Sequence, residues 1–284
     1  MKLSVGLILA TMWVPNAGLA FETMCPDDGG CGVQGNAPGT YHIAVPDGWT
    51  APGSGSSQKT LIFYHGHGGS GAGLLRNKGL IDQFTGNGYV VIAPDATEIP
   101  GRTVRGWPAR PDVVGARDDI AFSEAMIADA KQRLGIATLD ILMGGFSAGG
   151  SMAWQFACYS GEPITAVVSI AGGLRDPIPT ETCPAGPRKL LQIHGFTDNQ
   201  VPLEGRGIGD WHQGDVFAGL GVLRATNACR SNPDALEADG AYWCRDWTSC
   251  DSGQPIRMCL HAGGHSLPKG WVDQAIEWHN GRSD

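Results

Sequence analysis

A chain of 284 residues with 20 Lys and Arg against 28 Asp and Glu carries a formal charge of -8 at neutral pH. No basic cluster interrupts that acidic balance, which excludes the phosphate-binding face that nucleic-acid partners require. The length suits one good-sized α/β core.

The chain opens with Met1-Lys2, an apolar run from Leu3 to Trp13, and the small-residue end Ala17-Gly18-Leu19-Ala20. This pattern predicts a signal peptide over residues 1–20, followed by a single domain over 21–284 in a secreted protein, periplasmic or extracellular. The run is too short to span a bilayer and no longer one follows, so no membrane partner is expected. Eight cysteines, an even set in an exported chain, predict disulfides rather than zinc, because no C-x-x-C pair occurs. Sequence alone does not give their connectivity. The expected pairing is Cys25 with Cys31 and Cys158 with Cys183, leaving Cys229, Cys244, Cys250 and Cys259 to staple one region near the C-terminus.

Short β-rich runs occur at Tyr41 to Val45, Thr60 to Tyr64, Tyr89 to Ala93, Leu139 to Met143, Ile164 to Ile170, Lys189 to Ile193 and Ile256 to Leu260. The middle ones are nearly continuous apolar stretches, as parallel strands covered on both faces require. Between them the clearest helix starts at Asp118-Asp119, repeats Phe122, Met126, Ala130 and Leu134 at four-residue spacing, and stops at Gly135. Alternating strands and helices predict a mostly parallel central sheet with helices on both faces. The segment from Ile208 to Tyr242 has weak periodicity and reads as an elaborated, disulfide-stapled loop or lid.

The run Leu139 to Met143 leads into Gly145-Phe146-Ser147-Ala148-Gly149 and then an apolar helical stretch, Ser151 to Cys158. With 43 glycines in the chain, G-x-S-x-G alone carries little weight, about 0.3 matches being expected by chance. The strand-turn-helix setting makes it specific, because a strained turn there pushes the serine hydroxyl off the top of the sheet. Ser147 is the candidate nucleophile. A serine hydroxyl needs an imidazole to take its proton and a carboxylate to orient the imidazole. Asp198 follows the strand ending at Ile193, and His265 follows the strand ending at Leu260, in the order that α/β-hydrolases use. His261, Asp210 and Asp215 are weaker rivals. Backbone N–H groups of Ala148 and of His67, in His65-Gly66-His67-Gly68-Gly69, are the candidate oxyanion donors. The side chains of His65 and His67 invite a metal reading, but they lack further ligands. No metal and no cofactor is expected. Among nine tryptophans, Trp107 and Trp211 are the candidates to line a substrate cleft.

These motifs resemble the family 1 carbohydrate esterases, both the polyhydroxybutyrate depolymerase-like and the feruloyl esterase-like members. The likeness is carried by His65-Gly66-His67-Gly68-Gly69, Asp118-Asp119-Ile120-Ala121-Phe122, Gly145-Phe146-Ser147-Ala148-Gly149-Gly150-Ser151-Met152, His194-Gly195-Phe196-Thr197-Asp198 with Val201-Pro202, and Gly263-Gly264-His265-Ser266-Leu267-Pro268. It implies the α/β-hydrolase fold and places nucleophile, acid and base on Ser147, Asp198 and His265. Asn227-Ala228-Cys229 resembles the family's Asn-Gly-Cys, and Cys158 and Cys183 stand where its members have cysteines. The family usually has Trp where this chain has Leu267, a residue bordering the acyl pocket. The resemblance implies a serine esterase acting on small or polymer-linked esters: feruloyl or acetyl esters of plant polysaccharide, with a polyhydroxybutyrate depolymerase as the alternative; a monomer is expected. A reading of another class is a catalytically silent hydrolase fold that serves as a binding protein.

Overall fold

The continuous apolar runs of the sequence become the centre of one large sheet. The computed structural model describes residues 21–281 apart from 26–28, 54, 100, 111–112, 114 and 210. The expected signal peptide, residues 1–20, lies outside the described residues, as does the rival acid Asp210. In chain order the elements are β1 (Phe21–Thr23), β2 (Cys31–Val33), β3 (Gly39–Pro46), β4 (Ser57–Tyr64), α1 (Gly71–Leu75), α2 (Lys78–Thr85), β5 (Val90–Pro94), α3 (Asp119–Leu134), β6 (Thr138–Phe146), α4 (Ala148–Tyr159), β7 (Ala166–Ile170), β8 (Leu190–Gly195), β9 (Gly207–Ile208), β10 (Trp211–His212), α5 (Val216–Thr226), β11 (Ala235–Asp239), β12 (Tyr242–Trp247), β13 (Ile256–His261) and α6 (Trp271–Asn280).

The sheet runs β1-β3-β5-β4-β6-β7-β8-β13-β12-β11, with β2 also on β3. From β5 to β13 every pairing is parallel. At both margins the pairing turns antiparallel: β1, β2 and β3 at one side, β11 and β12 at the other. Helices α3, α4 and α5 cover one face, packing Phe122, Met126, Trp154 and Leu220 against the sheet. Helices α2 and α6 cover the other with Leu80, Phe84, Trp271 and Trp278. This is the mostly parallel sheet with helices on both faces that the sequence pattern predicts, and the α/β-hydrolase arrangement that the resemblance implies.

Helix α3 shows how closely local chemistry sets an element. Asp118 caps it by accepting from the N–H groups of Ile120 and Ala121, and Gly135 ends it in the left-handed region at φ 65°. Phe122, Met126, Ala130 and Leu134, the four-residue stripe, are all buried.

The two expected disulfides form, Cys25–Cys31 and Cys158–Cys183, and the last four cysteines, left unpaired by the sequence, join as Cys229–Cys250 and Cys244–Cys259. The segment from Ile208 to Tyr242, expected to be an elaborated loop or lid, is more regular than its weak periodicity suggests: it holds the helix α5, capped by Asp215, and the strand β11. Cys244–Cys259 ties β12 to β13 at directly paired positions, and Cys229–Cys250 ties the turn after α5 to the connection between β12 and β13. The weak periodicity arises because β11 lies at a sheet margin with Ala235, Leu236 and Ala238 exposed, unlike the fully buried central strands.

Candidate active site

Three connections at the carboxyl end of the parallel strands bring the predicted residues together. Ser147 sits between β6 and α4 with φ 59° and ψ -121°, a left-handed conformation that a non-glycine residue adopts only when its surroundings enforce it. Here the enforcement is steric. A Cβ on Gly145 would collide with the backbone of Gly149, and a Cβ on Gly149 would collide with the carbonyl of Tyr64. The strand, turn and helix can therefore close this tightly only with glycine at both positions.

His265 reaches into the site from the loop after β13. Its Nε2 lies 2.8 Å from Ser147 Oγ, and its Nδ1 lies 2.7 Å from Asp198 Oδ2. Asp198, buried on the loop after β8, accepts two further bonds at Oδ1, from the N–H groups of Gln200 and Val201, both at 2.9 Å. The carboxylate thus has a fixed rotamer and presents one oxygen to the imidazole. The loops that carry Asp198 and His265 lie against each other: Phe196 N–H donates to His261 O, and Thr197 N–H donates to Gly263 O. Gly195, which the sequence reading passed over, permits that approach, since a Cβ there would strike the carbonyls of Gly263 and Gly264. Phe146 packs on the His265 ring with centroids 4.9 Å apart.

Of the rivals, His261 is buried, with burial lowering its basicity, and accepts from Gly263 N–H at Nδ1. Asp215 is spent on capping α5.

Ala148 is the first residue of α4, where helical N–H groups have no partner one turn back and the helix dipole favours negative charge. The loop after β4 flanks the same point. A Cβ on Gly66 would sit 3.6 Å from that of Ser147, so the backbone at residues 66 and 67 borders the hydroxyl. The loop is pinned from behind. His65, buried and with its basicity lowered by burial, bonds Gly66 O through Nδ1 at 2.7 Å and accepts from Ala96 N–H at Nε2. Both ring nitrogens are thereby occupied within the protein, which leaves no lone pair for a metal. Gly68 N–H donates to Arg105 O. Asp95 anchors the far end, accepting from Gly71 N–H, Thr40, His42 and Arg105. Burial would raise the Asp95 carboxyl, but these hydrogen bonds outweigh it and hold the group at about 2.

Trp107 requires a correction. Its side chain is 2% exposed, packs edge-on to Tyr64, and donates from Nε1 to His65 O at 2.9 Å. It supports the loop from below and lines no open cleft. Trp211 is half-buried, with the guanidinium groups of Arg110 and Arg175 at 4.9 and 5.1 Å from its ring centroid, so internal cation contacts occupy its ring. Leu267 is 38% exposed beside the base loop. The sequence reading missed an apolar groove of about 460 Å³ walled by Phe196, Phe217, Leu236, Trp243, Met258 and Leu260. Its Phe196 stands two residues before Asp198.

Comparison with known proteins gives the family and the fold. Residues 49–207, more than half of the chain, match the family model for phospholipase/carboxylesterase. The chain belongs to the phospholipase/carboxylesterase family. It is similar to feruloyl esterase C of Emericella nidulans, at 24% identity over 87% of this chain and 88% of that one. It is also similar to lysophospholipase-like protein 1 of Mus musculus, at 30% identity over 52% of this chain and 70% of that one. Among solved structures an acetyl xylan esterase from Aspergillus awamori shares the fold, with TM-score 0.61, 14% identity, and coverage of 92% of this chain and 98% of that one. Family membership makes this a carboxylic ester hydrolase, and the likeness to the solved structure shows its α/β-hydrolase fold.

Proposed function

We propose that the protein cleaves carboxylic esters through an acyl-enzyme on Ser147. His265 takes the hydroxyl proton as the serine attacks and delivers it to the leaving alcohol, while Asp198 holds the ring in the tautomer with the proton on Nδ1. The carbonyl oxygen becomes an anion facing the N–H groups of Ala148 and His67. Water then repeats the sequence and releases the acid. The observation that carries this reading is the unbroken run from Ser147 Oγ through His265 to Asp198 at 2.8 and 2.7 Å.

The substrate class is feruloyl or acetyl esters of plant polysaccharide or related small esters, supported by the likeness to feruloyl esterase C over nearly the whole chain. The mature protein is one secreted, monomeric domain over residues 21–284. Its four disulfides suit an oxidising compartment, and no helix among the described residues is long and apolar enough to cross a membrane. A second reading, a short-chain hydroxyalkanoate polyester as substrate, is favoured by the exposed apolar groove that starts at Phe196 on the acid loop. Methyl ferulate, nitrophenyl acetate and polyhydroxybutyrate granules, assayed side by side with the mature protein, test the choice. Turnover of methyl ferulate or the acetate without clearing of granules is the expected result. Clearing of granules alone overturns the substrate, and inactivity of folded protein on every ester overturns the enzymatic reading in favour of a binding protein.

A further inference from the structure

From the acid loop a line of buried hydrogen bonds runs back through the sheet to the helix that carries the serine. Trp154 of α4 donates from Nε1 to Gln192 Oε1 at 2.8 Å. Gln192 Nε2 donates to Gly172 O at 2.8 Å and lies 2.9 Å from His194 Nδ1. His194 Nε2 lies 2.8 Å from Val201 O and 3.6 Å from Asp198 Oδ2. Val201 N–H closes the line on Asp198 Oδ1. Gln192 and His194 have no exposed surface, and Trp154 has almost none.

The direction of every proton follows from groups that can act in only one way. An indole N–H only donates, so the Gln192 amide turns its oxygen to Trp154; a carbonyl only accepts, so its NH₂ faces Gly172. The same NH₂ then meets His194 Nδ1, which must be the acceptor. The remaining ring proton is on Nε2 and points at Val201 O, with Asp198 Oδ2 just beyond. His194 is thus a neutral ring in one tautomer. Burial also lowers its basicity, against the pull of Asp198, with His265 and His261 the other titrating groups that act on it. A cation at this position would compete with His265 for the carboxylate.

We propose that Trp154, Gln192 and His194 are positioning residues that fix Asp198, and through it His265, relative to Ser147. Apolar side chains could fill strand β8 without the desolvation cost that two fully buried polar side chains carry. At one end the line closes on Asp198: His194 grips the carbonyl of Val201 while Asp198 grips the N–H of the same residue, so the turn 198–201 is clamped from both sides. Its other end is on α4, which begins at the residue after Ser147. Acid and nucleophile are thereby referred to one buried framework rather than to two independent loops. Fixing geometry at this level matters because a misplacement of about 1 Å costs roughly 10²-fold in rate.

This inference rests on the catalytic reading of Ser147, Asp198 and His265. Its test is the set His194→Leu, His194→Gln and Trp154→Phe, read by kcat and KM on nitrophenyl acetate and by the downfield proton signal of His265 Nδ1–H. His194→Leu is expected to lower kcat by roughly ten- to a hundred-fold, to leave KM within about two-fold, and to shift or abolish the signal. His194→Gln, whose amide can still donate toward Val201 O, restores most of the rate and the signal. Trp154→Phe, which frees the Gln192 amide to flip, gives a smaller change of the same kind and serves if His194→Leu does not fold. Folded variants with an unmoved signal and wild-type kcat, or with rate losses that follow only the loss of thermal stability, overturn the proposal. Failure of a fluorophosphonate to label the wild-type protein overturns the catalytic reading itself, and this inference with it.

Discussion

The parallel centre of the sheet and its antiparallel margins are built on different physical terms. Strands β5 and β7 are buried at every position, and their side chains are held by helices on both faces. The margin strand β12 alternates exposed and buried residues, and β11 leaves Leu236 73% exposed. Three of the four disulfides lie at the margins, one joining the connection of β1 to β2 and two around β12 and β13. Covalent links supply there what two-sided burial supplies at the centre. The lesson is a division of labour: close packing in the centre fixes Ser147, Asp198 and His265 relative to one another, while cross-links keep the margins attached.

If that division is right, the largest effects come from the centre. Ser147→Ala should lower kcat by at least about 10⁴-fold with the melting temperature nearly unchanged, measured on nitrophenyl acetate. Gly149→Ala drives a methyl into the Tyr64 carbonyl and is expected to cost about 3 kcal/mol or more, read by denaturant unfolding. Activity in folded Gly149→Ala protein should fall as well, because the strained turn relaxes. At the margin the order reverses. Cys244→Ser with Cys259→Ser, which opens a loop of sequence separation 15, should cost about 3 kcal/mol of stability and leave kcat within about two-fold at low temperature. A large loss of kcat there would break the comparison.

Asp95 sits between the two regions, under the loop after β4. Its carboxyl is held at about 2 in the folded protein against an ordinary value of 3.8, so its stabilisation is complete above 3.8 and is lost as the pH falls toward 2. Asp95→Asn should therefore cost about 2 kcal/mol near neutral pH, and acid titration of unfolding should show the gap to wild type closing over that window. A gap independent of pH would assign its role to packing. The smallest effect is expected at Trp243, 54% exposed on the groove wall. Trp243→Ser should change stability by less than about 0.5 kcal/mol and should lower granule clearing only if the polyester reading holds.

Much of the centre was legible in the sequence because its determinants are local. Asp118 and Gly135 bound α3 as caps; the glycines around Ser147 announce a turn that tolerates no side chain; Asp198 and His265 follow strands at a loop's distance. The margins were harder to read. Strand β11 and helix α5 looked like a lid because a strand with one exposed face lacks a continuous apolar run. Trp107 looked like a cleft residue because its flanking Gly106 and Pro108 suggest a loop, while the bond that buries it comes from His65, far away in sequence. Gln192 and His194 read simply as parts of a strand and its end, and only their partners across the sheet give them a direction.

The central claim is that Ser147 is the residue the protein acylates. Reaction of the folded, mature protein with a fluorophosphonate, followed by peptide mass mapping, tests it most directly. The account predicts one label per chain on the peptide containing Ser147, absent in Ser147→Ala and strongly slowed in His265→Ala. Stoichiometric labelling at any other residue, or none on folded wild-type protein, would contradict it.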